Sequence, residues 1–177
     1  MTDLSVWPPT MPPELVSLPE HVAHILDLSA RSVASTSELA DASGPALVVL
    51  TGADAPLLAE LDSIIAGRPA PTALVIGDGW IGTEGPDVAA AMVGAGAVAL
   101  TRAIAVRRHL TGRVNVVCVP ERLIGDAGSQ HGPLAIDIGS IDVAEVVAFV
   151  LSAQSSYIDG QVLYANGGRQ LFSSLTA

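Results

Sequence analysis

The chain has 177 residues, of which 50% are hydrophobic and only 3% aromatic, so its core is expected to consist mainly of Ala, Val, Leu and Ile. It carries 8 basic and 18 acidic residues, and the resulting charge of 8 − 18 = −10 disfavours binding to the phosphates of a nucleic acid. All 8 basic residues are arginines, which excludes every mechanism that depends on a lysine, such as a Schiff base or a lysine-bearing phosphate loop.

Residues 1–17 are predicted to form an irregular, proline-rich arm. Prolines at positions 8, 9, 12 and 13 restrict the backbone to extended geometry and remove hydrogen-bond donors. Such an arm either packs on its own domain or reaches another subunit, with Trp7 as an anchor. The start carries Asp3 and prolines rather than a basic stretch followed by an apolar one, so we expect no signal peptide and a cytoplasmic protein.

Residues 18–177 are predicted to form a single α/β domain. A short helix is expected over 18–28. The apolar run Ala46–Ala53 then predicts a buried strand that ends in a turn, and a helix is expected over 56–66. No apolar run is long enough to span a membrane, because Gly, Asp, Arg or Pro interrupts each one.

A second buried strand is predicted over 72–76, followed by the turn Gly77-Asp78-Gly79 and by the main helix over 87–110. The middle of this helix is almost wholly small and apolar, which is typical of a helix covered on nearly all sides. Gly94 and Gly96 each cost roughly 1 kcal/mol in a helix. We therefore expect another element to approach the helix closely at these two positions.

A third buried strand is predicted over 112–120, and it holds the single cysteine, which argues against a disulfide framework. An amphipathic helix is expected over 141–153. A turn at Asp159-Gly160 then leads into a strand over 161–165 that has no water-facing side. Alternation of strands and helices without repeats predicts an α/β fold with a parallel sheet.

Two blocks of sequence resemble the short-chain dehydrogenase/reductase family. The segment Ser155–Gly168, SSYIDGQVLYANGG, is similar to the Ser-Tyr-Ile-x-Gly-Gln-x-Leu-x-x-x-Gly-Gly pattern that commonly ends subunits of this family, and Leu100–Asn115 resembles it as well. The resemblance covers about Thr72 to Gly168. It implies an incomplete Rossmann-like parallel sheet flanked by helices. Part of the N-terminal dinucleotide-binding half would be lacking, because the chain is too short for the family's seven strands.

The resemblance also implies that the family's catalytic residues are absent. The serine, tyrosine and lysine of that family correspond here to Gly77, Ala90 and Gly94, which carry no acid–base group. The Pro-Gly pair that lines the family's nicotinamide site is altered to Val119-Pro120-Glu121.

The family's cofactor loop is expected to be absent too. The strand Ala46–Ala53 corresponds either to the first or to the fourth family strand. As the first strand, it would precede a phosphate loop with Pro56 and Leu58 in place of glycines. Neither alternative leaves a cofactor-binding loop, so NAD(P) is expected only in a catalytic partner, and no metal site is expected.

Family members usually associate through their long helix and through their last helix and strand, which are the parts kept here. The resemblance therefore implies a non-catalytic subunit of a hetero-oligomer, whose full-length partner oxidises an alcohol or hydroxyacyl-type substrate; a homo-oligomer would use the same surfaces. The residues expected at the interface are Ala90, Val93, Gly94, Ala97, Val98, Val147, Leu151, Val162 and Tyr164.

Two other functions remain open from the sequence. One is a binding or regulatory domain for a small molecule or an acyl-CoA, with a pocket lined by residues 77–85. The other is a stand-alone enzyme that uses different residues, such as Asp78, Asp126 or His131, although their spacing predicts no particular chemistry.

Overall fold

The computed structural model describes residues 3–6, 31–33, 44–50, 55–81, 88–108, 111–124 and 138–169. The strands are β1 (Asp3–Val6), β2 (Arg31–Val33), β3 (Ala46–Val49), β4 (Thr72–Gly77), β5 (Val114–Val119) and β6 (Val162–Tyr164). The helices are α1 (Ala55–Gly67), α2 (Val88–Arg108) and α3 (Ser140–Leu151). Short 3-10 turns cover Asp78–Trp80, Glu121–Leu123 and Ala153–Ser155.

The strands form one sheet in the order β2-β1-β3-β4-β5-β6. Strands β3 to β6 are parallel to one another, and helices connect them, so the predicted parallel α/β fold is confirmed. Strand β1 pairs antiparallel with both β2 and β3. Residues 3–6 were expected to be irregular, and they form this strand instead. The rest of the predicted arm and the helix expected over 18–28 lie outside the described residues.

The central strands are apolar on both faces because helices cover both faces. Helices α1 and α2 pack on one side, where Leu61 and Ile104 meet the sheet residues Leu74 and Val116. Helix α3 packs on the other side, where Val147 meets sheet residues such as Val117. Every residue of β3, β4 and β5 is buried, which explains why their sequences show no alternation of polar and apolar residues.

Helix α2 is buried on one face only, whereas the sequence predicted cover on nearly all sides. Ile104 is fully buried in the core, but Val88, Met92 and Val106 are 76%, 67% and 81% exposed. The helix is also long and apolar enough to cross a membrane, judged by length and composition alone. The core helices of water-soluble proteins meet the same criterion, and α2 packs on the sheet.

The two glycines of α2 do mark close approaches, as predicted, and the approaching elements belong to this same chain. A Cβ at Gly94 would overlap the backbone carbonyl oxygen of Trp80, and a Cβ at Gly96 would lie 2.7 Å from Cδ1 of Leu58. The glycines therefore serve packing within the domain and need no partner to explain them.

Much of the predicted interface is buried within the single chain. The buried residues are Val93, Gly94, Ala97, Val147 and Leu151. Ala90, Val98 and Val162 are half-buried, and Tyr164 is 42% exposed. The surface that α2 presents to solvent is the face opposite the predicted one.

Strand β6 is only partly buried, with Tyr164 42% exposed, so the prediction that it has no water-facing side is wrong. Among the described strands it pairs with β5 alone. Asn115 on β5 holds the turn before β6 through two hydrogen bonds. Its Nδ2 donates to the Ile158 carbonyl at 2.9 Å, and its Oδ1 accepts from the Gln161 N–H at 3.0 Å. Gly160 in that turn has φ of +68°, which favours glycine.

Candidate functional site

Polar side chains meet at the carboxyl edge of the parallel strands. Asp78 directly follows β4, Glu121 begins the turn after β5, and Asn166 and Arg169 follow β6. In open α/β sheets ligands bind outside this edge, so these four residues form the candidate site.

Asp78 is the most deeply buried carboxyl group of the site, with 7% of the residue exposed. Its Oδ1 lies 3.3 Å from Nη1 of Arg169. Burial raises the pKa of Asp78, and it outweighs the opposing effects of the Arg169 charge, the backbone N–H groups of Glu121 and Gly79, and the side chain of Asn166. The protein therefore favours a neutral Asp78 more strongly than water does.

Glu121 is coupled to Asp78. Burial and the negative charge of Asp78 raise the pKa of Glu121, while Arg169 lowers it. One arginine thus faces two carboxyl groups that repel each other when both are ionised. The thiol of Cys118 lies near the same charge, and burial followed by Asp78 raises its pKa to about 12, so this cysteine is protonated and unsuited to nucleophilic chemistry.

The Glu121 side chain also fills the space above the end of β4. A Cβ at Gly77 would lie 2.7 Å from Cγ of Glu121 and 3.2 Å from Nε1 of Trp80. A Cβ at Gly79 would lie 2.5 Å from Oε1 of Glu121. The position that corresponds to the family's serine therefore has no room for a side chain unless Glu121 moves.

The positions that correspond to the family's tyrosine and lysine are equally unsuited to chemistry. Ala90 is half-buried on α2, and the backbone of Trp80 covers Gly94 one turn further along the helix. The structure thus places Gly77 and Gly94 on either side of Trp80, with no acid–base group at either position. Asp126 and His131 lie outside the described residues.

The sequence singled out Asp78 but missed Glu121, Asn166 and Arg169 as its neighbours. Each of the three follows the carboxyl end of a predicted strand, and parallel strands bring these ends to one edge. That signal was present in the sequence, although it does not reveal which side chains turn inward. Within the described ranges, no group of His, Cys, Asp and Glu residues is arranged to hold a metal ion.

Asp78→Asn is expected to stabilise the chain at neutral pH. The usual pKa values of Asp and Glu are 3.8 and 4.5, and both Asp78 and Glu121 are raised above them. The protonated carboxyl groups of Asp78 and Glu121 therefore stabilise the folded chain fully at pH below the usual pKa values. This stabilisation is lost as pH rises through the raised pKa values of the folded chain. The variant should therefore lose less stability than the wild-type chain as pH rises above the ordinary carboxyl pKa values, and its Tm at pH 7 should be higher than that of the wild-type chain.

The measurement is thermal unfolding across this pH range. Asp62→Asn is the matched control, since Asp62 pairs with Arg107 on the surface, where the two side chains are 35% and 52% exposed. If Asp78→Asn lowers Tm at pH 7 more than the control does, the ion pair with Arg169 outweighs the burial penalty and the interpretation is wrong.

Comparisons with known proteins identify the fold. No family model matches the sequence, and no curated protein matches it. Solved structures do match. One is an enoyl-acyl-carrier-protein reductase from Plasmodium berghei, crystallised with triclosan. Its TM-score is 0.52 at 20% sequence identity, and the match covers 64% of this chain and 47% of the reductase. A short chain dehydrogenase from Leptospira borgpetersenii with bound NAD+ has a TM-score of 0.50 at 20% identity, over 64% and 50%.

The likeness confirms the Rossmann-like fold of the short-chain dehydrogenase/reductase family that the two sequence blocks predicted. The chain spans about half the length of these two proteins.

The strand order decides between the two alternatives for residues 46–53. In a doubly wound sheet of order 3-2-1-4-5-6, only the fourth strand lies between the first and the fifth. The resemblance places the family's serine at Gly77, the last residue of β4, which makes β4 the fifth family strand. Because β3 pairs with β4 on the side away from β5, β3 then matches the fourth strand. The neighbouring position, which the first strand would fill, holds the antiparallel β1.

In the described part of the chain, no parallel first strand is present to carry the usual phosphate loop of a dinucleotide site. A glycine-rich phosphate loop follows the carboxyl end of the first parallel strand, at the edge where the other strands also end. Strand β1 runs the other way, with Asp3 beside Val49 and Val6 beside Ala46, so its carboxyl end lies at the opposite edge. Glu121 and Trp80 moreover fill the space over Gly77.

Proposed function

We propose that this chain is a non-catalytic subunit that assembles in the cytoplasm with a full-length, active short-chain dehydrogenase. In such an assembly the partner would bind NAD(P) and oxidise an alcohol or hydroxyacyl-type substrate. The observation that carries the proposal is the exposed apolar face of α2. The loss of catalytic groups at Gly77, Ala90 and Gly94 supports it.

The exposed face of α2 follows the helical repeat over its whole length. Its residues, the outer α2 stripe, are Val88, Met92, Ala95, Ala99, Ala103 and Val106. Successive members are separated by three or four positions, which places them on one side of a helix. The stripe runs along a helix of 21 residues, and contiguous apolar surface of this kind is typical of interaction sites. Burial against a partner would stabilise a complex by roughly 25 cal/mol per Å² of apolar area.

The edge strand β6 is a second candidate surface. Among the described strands, β6 has a neighbour on one side only, and an edge of this kind readily accepts another chain. Tyr164 on β6 is 42% exposed, and Phe149 on α3 is 38% exposed. Aromatic residues of this kind are enriched at protein interfaces.

Co-expression with the products of neighbouring open reading frames tests the proposal. We expect a dehydrogenase to co-purify with this chain, and light scattering should give a mass above that of either component. A stable monomer that captures no dehydrogenase would contradict the proposal. A homo-oligomer that captures none would retain the stripe as an interface but would contradict the hetero-oligomer.

Calorimetric titration with NADH and NADPH separates the roles of the two subunits. The isolated chain is expected to give no binding heat, because β1 replaces the strand that would carry the phosphate loop. The complex should bind dinucleotide with the stoichiometry of the active partner alone. A micromolar Kd for the isolated chain, about −8 kcal/mol, would overturn this assignment.

A further inference from the structure

The carboxyl group of Glu121 lies directly over Gly79, at the carboxyl edge of the sheet. The three atoms nearest to a Cβ at Gly79 would be Oε1, Cδ and Oε2 of Glu121, at 2.5, 2.9 and 3.3 Å. The indole of Trp80 borders the same space, because a Cβ at Gly77 would lie 2.7 Å from Cγ of Glu121 and 3.2 Å from Nε1 of Trp80. Two residues without side chains thus leave room for the end of Glu121, which closes this part of the edge.

Asp78 and Glu121 differ in how firmly they are held. Asp78 is 7% exposed, its Oδ1 lies 3.3 Å from Nη1 of Arg169, and the backbone N–H groups of Glu121 and Gly79 stabilise its charge. Glu121 is half-buried, begins a short 3-10 turn and reaches the edge with a flexible side chain. Repulsion between the two carboxylates is therefore relieved by movement of Glu121 and not of Asp78.

One cation faces both carboxyl groups. Burial raises the pKa of both, the charge of Asp78 raises the pKa of Glu121 further, and Arg169 lowers both values. Cys118 on β5 is the other titratable group near Asp78, and burial followed by the Asp78 charge raises its pKa to about 12, so its thiol stays neutral. Arg122, next to Glu121, donates to a backbone carbonyl oxygen at 2.7 Å. The single charge of Arg169 can balance one ionised carboxyl group but not two.

We propose that Glu121 is a pH-operated plug at the carboxyl edge of the sheet. While the Asp78–Glu121 pair retains a proton, the Glu121 side chain stays over Gly79; when both groups are ionised, it turns into solvent and uncovers Gly77, Gly79 and the Trp80 indole. The change of charge on the pair thus selects between two positions of one side chain. Because the pKa of Glu121 is raised above the usual 4.5, the closed form persists above pH 4.5 and is lost as pH rises further. The plug does not depend on the proposed function.

Acrylamide quenching of Trp80 fluorescence measures the opening. The chain has 2 tryptophans, so Trp7→Phe leaves Trp80 as the only indole. Quenching should rise with pH, with a midpoint above 4.5, the usual pKa of a glutamate. Asp78→Asn should move this midpoint to lower pH, because it removes a negative charge that raises the pKa of Glu121.

Two variants hold the plug in one position each. Glu121→Gln cannot ionise, so quenching of Trp80 should stay low across the pH range. Gly79→Ala places a methyl group where the carboxyl group lies, and the displaced atoms are the end of a flexible side chain, so the variant should fold with the plug open even at low pH. Glu145→Gln, on the exposed side of α3, is the matched control and should keep the wild-type pH profile.

A second measurement uses the unmodified chain. Its 2 tryptophans give two indole N–H resonances in NMR, and the Trp7→Phe spectrum assigns the one from Trp80. That resonance should shift with the same pH midpoint as the quenching. A Trp80 signal that does not change with pH, a midpoint at or below 4.5, an unchanged profile in Glu121→Gln, or a Gly79→Ala variant that stays protected at low pH would overturn the proposal.

Discussion

Replacing Met92 and Val106 together by glutamate is expected to convert the assembled protein into separate subunits. The two side chains are 67% and 81% exposed in the isolated chain, so charged residues are tolerated there when no partner is bound. In a complex that buries the outer α2 stripe, each glutamate would lose water without gaining a partner. Two such penalties of roughly 1.5 kcal/mol or more each weaken association at least about 100-fold.

The measurement is size exclusion with light scattering at matched protein concentrations, together with circular dichroism to show that the variant is folded. Ala59→Glu is the matched control, because Ala59 is exposed on α1 and lies outside the stripe. The control should assemble like the wild-type chain. If the Met92/Val106 variant keeps the wild-type mass, the stripe is not the interface and the proposal of assembly through α2 is wrong.

Gly94→Leu is expected to destabilise the domain by at least about 3 kcal/mol, which is near the upper end for overpacked core positions. The Cβ alone would overlap the backbone carbonyl of Trp80, and backbone cannot rotate out of the way as the end of a side chain can. The gain in helix propensity on replacing glycine, roughly 1 kcal/mol at most, does not offset this clash. Tm should fall by about 6–12 °C.

Gly67→Leu provides the control, because a Cβ at Gly67 has nothing within 4 Å. Its effect on Tm should be small.

Ala90→Tyr combined with Gly94→Lys should not create carbonyl reductase activity, since the lysine stem at position 94 would meet the backbone carbonyl of Trp80. A folded double variant that reduces a carbonyl substrate with NADH or NADPH would show that the site is open after all.

The positions that correspond to the family's catalytic residues show how much of the site could be predicted from the sequence. Gly77, Ala90 and Gly94 could be matched to family positions by counting along the chain, since the spacing within a helix and its preceding strand is local. The filling of that space by Glu121 and Trp80 could not be predicted, because it depends on how the turns after two different strands fold back over the sheet.

The sequence by itself determined the parallel α/β architecture, because long apolar runs separated by helical segments have few other ways to bury both faces of a strand. It also determined that the chain carries no lysine, which composition alone establishes.

Only the tertiary structure decided which face of α2 is buried. The first 13 residues of α2, Val88–Leu100, are all apolar, so this part of the sequence contains no contrast between faces. The closeness of Trp80 and Leu58 to Gly94 and Gly96 sets the orientation instead. Likewise, only the strand order shows that β1 takes the place next to β3, because pairing between strands distant in sequence leaves no local signature in either strand.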